Sequence, residues 1–185
     1  MRRLVLLLVL LGMAGNTRAD TGVFLPTQAV GDTVLELKGT GSVYYARLIH
    51  VYDAALYGPA QTPAPELLGS GAPACLELVY RVGLDRDKFV LAAERILARQ
   101  HADLSPLRPR IDALHAAYRD VAEGDRYRLC YTPEVGTELA LNDTALIRIE
   151  GEDFARTYLG IWLGAQPLSK RLRDALLGGH EDAPH

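Results

Sequence analysis

Apolar positions recur along this chain at two different spacings, and the places where the spacing changes divide it into elements. Between Cys75 and Val82 the chain alternates, with Leu76, Leu78, Tyr80 and Val82 on one side and Cys75, Glu77 and Arg81 on the other, which predicts a half-buried antiparallel strand. The spacing then becomes helical. Phe89, Ala93, Ile96 and Leu97 fall at i, i+4, i+7 and i+8 behind a capping Asp85. Ser105 and Pro106 open a second helix, whose stripe runs through Leu107, Ile111, Leu114, Tyr118 and Val121 to a turn at Gly124-Asp125. Three strand-like runs follow, at 126–132, 137–141 and 144–150, with Asn142-Asp143 as the tight turn between the last two. Beyond them Asp153 caps a helix with Phe154, Tyr158, Ile161 and Trp162 on one face, so that Trp162 should be largely buried. Gly164 is expected as its left-handed stop, and Ser169 caps a short helix carrying Leu172, Leu176 and Leu177.

The first third of the chain reads as β. A strand is expected at 34–37, a turn at Gly39-Thr40-Gly41, and one long strand over 43–57. That strand would carry Tyr44, Ala46, Leu48, His50, Tyr52 and Ala54 on one face and Tyr45, Arg47, Ile49, Val51 and Asp53 on the other. Neither face is cleanly polar, so both need partial cover. Strands and helices segregate instead of alternating, which gives an α+β class: a mostly antiparallel sheet with helices packed on one face.

Composition adds a destination and removes a class of partner. Residues 1–19 read as a secretory signal, with Arg2 and Arg3, an apolar run Leu4 to Leu11 and small residues around Ala19. The run falls short of the ~20 apolar residues that cross a bilayer, so the expected product is exported, most simply to a periplasm, with no membrane span after signal removal. One domain over 20–178 and a tail over 179–185 remain. The whole chain has 20 Lys+Arg and 23 Asp+Glu; without the three arginines of the signal the balance is 17 against 23. Bases are interleaved with acids, as in Asp85-Arg86-Asp87-Lys88, which argues against nucleic acid. The five histidines show no metal-ligand pairing, there is no phosphate loop or nucleophile elbow, and neither metal nor cofactor is implied. Cys75 and Cys130 each sit on a polar strand face. They would close a disulfide if their strands are neighbours, and would remain two separate thiols if not.

The segment 150–178 carries a more specific signal. Asn142 and Gly151 leading to Phe154, then Gly160-Ile161-Trp162-Leu163-Gly164, Pro167 and Leu176-Leu177-Gly178, resemble the bacterial, exported branch of the chalcone isomerase-like family. The resemblance extends upstream through Gly39-Thr40-Gly41, Val51 to Tyr57 and Gly124-Asp125. It implies an open-faced sheet whose helices enclose a cleft, and in the plant isomerases an Arg soon after the Gly-x-Gly turn stabilises the developing enolate. Here that position is Val43, and the family's strand Thr falls on Arg47. The family's helix-opening Tyr and Asn fall near Arg86 or Asp87 and near Ala93 or Glu94, and Ile161 replaces a hydroxyl residue. Flavonoid isomerisation is therefore not expected.

Elsewhere in the family the fold encloses a fatty acid or similar molecule. A pocket lined by Leu48, Tyr52, Ile96, Tyr158 and Ile161, with Arg47, His50 or Tyr52 holding a polar end, would suit a small hydrophobic ligand; the same apolar residues would equally suit a plain core. Three readings stand: a non-catalytic binding protein for a small hydrophobic or fatty-acid-like ligand, an accessory protein acting through its surface, and an isomerase or lyase of unknown substrate.

Overall fold

The computed structural model describes residues 23–178; the signal read over 1–19 and the tail 179–185 lie outside the described residues. Seven strands form one antiparallel sheet in which each strand lies beside its neighbour in sequence. They are β1 (Thr27–Val30), β2 (Thr33–Tyr45), β3 (Ile49–Gly58), β4 (Ala74–Tyr80), β5 (Arg126–Thr132), β6 (Gly136–Leu141) and β7 (Thr144–Ile149). Between β4 and β5 the chain makes α1 (Arg86–Gln100) and α2 (Arg108–Ala117), and after β7 it makes α3 (Glu152–Leu163) and α4 (Lys170–Leu176). The four helices cover one face of the curled sheet. The main core joins Leu56, Leu76 and Leu129 of that face to Leu97, Ile111, Phe154 and Leu172. The α+β class with helices on one face is the architecture observed.

The opposite face is covered only in part. Leu35, Ala55, Tyr57 and Cys75 form a smaller cluster there with Phe24 against it, and the Tyr57 hydroxyl donates to the Leu25 carbonyl. Cover on both sides explains why β4, expected half-buried, is buried at every position. Glu77, expected outward in solvent, is buried on this face and pairs with the Arg126 guanidinium.

Several local expectations are corrected. The run 43–57 is not one strand. It folds into a hairpin at Ala46, Arg47 and Leu48, closed by the Leu48 N–H donating to the Tyr45 carbonyl at 3.1 Å, with positive φ at Ala46 (49°) and Arg47 (62°). Gly39-Thr40-Gly41 is not a turn but the interior of β2, where α4 crosses close above the sheet. A Cβ at Gly39 would stand 2.4 Å from the Ala175 carbonyl oxygen, so the glycine serves close approach and not chain reversal. Gly164 is extended (φ −73°) and not left-handed; a Cβ there would meet Gln100 Oε1 and the Gly160 carbonyl. α2 stops at Ala117, and Val121 instead bridges to Leu84. The N-cap of α3 lies two residues earlier than expected, at Gly151, with Asp153 inside the first turn and paired to Arg110 at 2.6 Å. Ser169 does cap α4, its hydroxyl accepting from the Leu172 N–H at 3.2 Å.

Candidate ligand-binding site

Sheet and helices do not close on each other everywhere. Between them lies a cavity of about 750 Å³, walled by β3, β4 and β5 below and by α1 and α3 above. Leu76, Leu78 and Leu129 give it an apolar floor, with Phe89, Ile161 and Trp162 as a roof. Its mouth lies where the lining side chains become exposed, between the β2–β3 hairpin (Tyr44, Tyr45, Arg47), Lys88 of α1, and Leu168 and Arg171 around the start of α4. Arg47, Lys88 and Arg171 are the charged residues of the lining, and all three are cations. Lys88 also reaches Asp85 at 3.1 Å.

Two tyrosines of the inner wall, Tyr52 and Tyr80, have hydroxyls with little to bond, whereas the Tyr127 hydroxyl both accepts from and donates to the Arg119 backbone. Trp162 Nε1 donates to the Tyr52 oxygen at 3.3 Å, which leaves the Tyr52 proton without an acceptor among the described residues. Tyr80 is 3% exposed, lines the cavity, and its hydroxyl has no partner among the described residues. Burial raises the pKa of both phenols, so both stay neutral O–H donors across the physiological range. Leaving such a donor unmatched in an apolar space costs ~1–3 kcal/mol, which a ligand oxygen would recover.

Behind this wall a hydrogen-bond chain runs inward from the half-exposed pair Glu94 and Arg108 to buried His115 and Tyr158. Glu94 takes a two-pronged contact from Arg108 (2.6 and 3.1 Å), lies 3.2 Å from His115 Nδ1, and His115 Nε2 lies 3.1 Å from the Tyr158 hydroxyl. Tyr158 then meets the hydroxyl of Tyr118, a cavity-lining residue, at 3.2 Å. The Arg108 hydrogen bond holds the Glu94 carboxyl below its ordinary range, and burial pushes the His115 imidazole down. A carboxylate backing a neutral imidazole fixes the positions of Tyr158 and Tyr118.

The structure separates the residues expected at a pocket. Tyr52 and Ile161 line the cavity, and Arg47 stands at its mouth on the hairpin tip, not along a strand shared with Val43. Leu48 sits in the hairpin turn, 87% exposed, and Ile96 is core outside the lining. Tyr158 lies one layer behind, its hydroxyl meeting Tyr118 and its ring Trp162, both of the lining. His50 is on the other face. The register pairs Val43 with Tyr52 but Tyr44 with His50, leaving Val51 as a bulge residue, so His50 and Tyr52, expected side by side, point oppositely. There His50 stacks on Tyr44 and, with Ser42 and Arg81, surrounds Asp53 at 2.5–2.7 Å. Burial pushes the Asp53 carboxyl up, but these hydrogen bonds outweigh it and hold it below its usual range. Val43, in the place of the isomerases' cation, is part of the cavity wall. Tyr80 and Trp162 were both readable as inward-facing, but only the fold shows that they meet a void. Lys88 carried no signal apart from its neighbours' charges.

Cys75 and Cys130 face each other directly in the β4–β5 register, and their sulfurs are bonded. The bond lies on the face away from the cavity, within the smaller cluster.

No curated protein sequence matches this chain. Among solved structures, it is similar to the crystal structure of a fatty-acid binding protein of Arabidopsis thaliana, with a TM-score of 0.62 and 19% identity over 84% of this chain and 91% of that one. The chalcone isomerase-like family matches residues 19–178, which takes in every strand and helix described above and the whole cavity wall; the chain belongs to the chalcone isomerase-like family.

Proposed function

We propose that this protein is an exported, non-catalytic carrier or sensor of a small amphipathic ligand of the fatty-acid type, held in the cavity between sheet and helices. The observation that carries this reading is the cavity itself: about 750 Å³ of largely apolar space whose charged lining residues are all cations. That volume lies within the roughly 300–1,000 Å³ of small-molecule sites. An alkyl chain fills the floor and roof, a carboxylate rests near Arg47 and Lys88 at the mouth, and the Tyr52 and Tyr80 hydroxyls contact any oxygen function carried inward. The structural neighbour named for fatty-acid binding supports the class of ligand, and Val43 in the wall argues against the isomerases' chemistry. Export rests on the sequence of residues 1–19 alone.

The test is native mass spectrometry of protein recovered from its own host, followed by displacement of a fluorescent fatty acid. A co-purifying aliphatic acid and saturable displacement are expected. Arg47→Gln should weaken a fatty acid by roughly two- to fivefold, as an exposed ion pair would, and leave the matching alcohol unchanged. Failure of any aliphatic acid to bind at its solubility limit overturns the reading.

A further inference from the structure

The β2–β3 hairpin presents an apolar tip to solvent at the cavity mouth. Four large apolar residues lie exposed within six positions: Tyr44 (48%), Tyr45 (69%), Leu48 (87%) and Ile49 (49%). Leu168, 37% exposed, adds to them from across the mouth. The turn also holds Ala46 and Arg47 at positive φ, where Gly or Asn would be less strained, so an Ala-Arg-Leu tip is kept at a cost in stability.

We propose that this hairpin is a docking tip that enters the interface of a lipid bilayer carrying anionic headgroups, placing the cavity mouth against the membrane. This rests on the reading of the cavity as a lipid site. The argument is geometric and electrostatic. Leu48 and Ile49 reach the depth of the acyl boundary, while the flanking tyrosines suit the headgroup level, where one end of the ring is apolar and the other wet. Arg47 lies between them on a stem long enough to leave its guanidinium among phosphates. On the same rim Lys88 matches Asp85 and Arg86 lies 3.6 Å from Asp87, so the nearby acids are neutralised and Arg47 supplies the net positive charge of the tip. A tip of six residues is small for a protein partner, whose specific interfaces take roughly 20–30 residues a side, but is ample for shallow insertion. Because Tyr44, Tyr45 and Arg47 belong both to the tip and to the lining, an inserted tip opens the cavity toward lipid and not toward water.

The experiment is vesicle co-sedimentation of the chain starting at Asp20, which retains every described element of the fold, since all lie between Thr27 and Leu176. Vesicles of phosphatidylethanolamine with phosphatidylglycerol are compared with phosphatidylcholine alone. Binding to the anionic vesicles is expected, with a loss of about tenfold or more in Leu48→Asp and in Ile49→Asp, and a smaller loss in Arg47→Gln. Both aspartates are surface changes in a turn and the adjoining strand end, and unchanged thermal unfolding shows that the variants are folded. Fatty-acid displacement in lipid-free buffer is read on the two aspartate variants, whose positions lie outside the cavity lining, and separates the two ideas: retained ligand affinity with lost sedimentation supports docking by the tip. No sedimentation of the parent chain, or equal sedimentation of parent and Leu48→Asp, overturns it. So does a dimer in light scattering that Leu48→Asp dissolves, which would assign the tip to a second copy of the chain.

Discussion

Replacing Gly39 by alanine tests the contact that fastens α4 to the sheet. The added Cβ would lie 2.4 Å from the Ala175 carbonyl oxygen, 2.5 Å from that of Leu176 and 2.8 Å from the Leu176 carbonyl carbon. All three are backbone atoms, so no rotamer relieves the clash and the helix itself must move. Gly39 does not have a left-handed φ, and in a neutral site Gly→Ala would stabilise by ~0.4–1 kcal/mol through the unfolded chain. The collision reverses that sign. Overpacking costs ~1–3 kcal/mol where the structure can absorb it. If α4 lifts away, Leu172 and Leu176, 1% and 0% exposed, lose burial worth ~1.5–3 kcal/mol each. The expected net loss is therefore about 1–5 kcal/mol, from partial shift to full release. Two controls calibrate it. Gly41→Ala meets the Leu172 Cδ1 at 2.8 Å and the Ala175 Cβ at 3.1 Å, side-chain atoms that can yield, and should cost less than Gly39→Ala. Gly31→Ala meets nothing within 4 Å but has φ +57°, so it reports backbone strain alone, ~1–2 kcal/mol. Urea unfolding followed by the fluorescence of Trp162, the only tryptophan, gives the midpoints. A Gly39→Ala midpoint at or above that of the parent would refute the close approach and with it the account of why glycine stands there.

Three further outcomes are expected. His115 has its pKa lowered in the fold by burial, so its contribution to stability is complete above the unfolded value of ~6.5 and declines as pH falls from there toward the folded value; urea midpoints at pH 7.5 and 5.5 should converge in His115→Gln, and an unchanged pH slope would show that His115 does not titrate with unfolding. The Cys75–Cys130 bond joins residues 55 apart in sequence, which on the chain-entropy model is worth ~4 kcal/mol; thiol counting on denatured, unreduced protein should find none, and two reactive thiols per chain would refute the bond. With Val43 in the cavity wall and Arg47 out on the hairpin tip, the protein should not accelerate closure of a chalcone to a flavanone; absorbance decay at a rate that scales with protein concentration would contradict this.

How much was readable in the sequence depended on whether the signal was local. The stripe Phe154, Tyr158, Ile161 and Trp162 predicted α3 and its inward face because helical spacing and burial are the same fact seen twice. The strand 126–132 was bounded as observed, since Gly124-Asp125 and Pro133 mark both ends. The hairpin at Ala46, Arg47 and Leu48 was invisible because it contains none of the residues that ease positive φ, and β-prone residues continue through it. The bulge at Val51 was equally hidden in a run read as one regular strand, and its shift of one residue sends His50 to the other face. The glycines of β2 were misread for the opposite reason: Gly-x-Gly is a turn signal locally, but here the cause is α4, some 130 residues later in the chain. Nothing local links Glu94, His115, Tyr158 and Tyr118, which come from three different segments and meet only when the helices pack.

The order of the sheet carries a consequence for how the chain finds its fold. Six of its strands are joined in hairpins by links of two or three residues, at 31–32, 46–48, 133–135 and 142–143, so β1–β2–β3 and β5–β6–β7 can each zip up locally. The β3–β4 link at 59–73 is longer but still short in contour. The remaining pairing, β4 with β5, must bring together ends separated by residues 81–125, including α1 and α2. That one closure dominates the entropic barrier to assembling the sheet, because every other pairing costs little chain freedom. The cysteines stand opposite each other in that pair of strands. Refolding of the oxidised chain should therefore start with the two meanders already tethered, whereas the reduced chain must find the pairing by search, and the difference would appear in the folding rate more than in the unfolding rate.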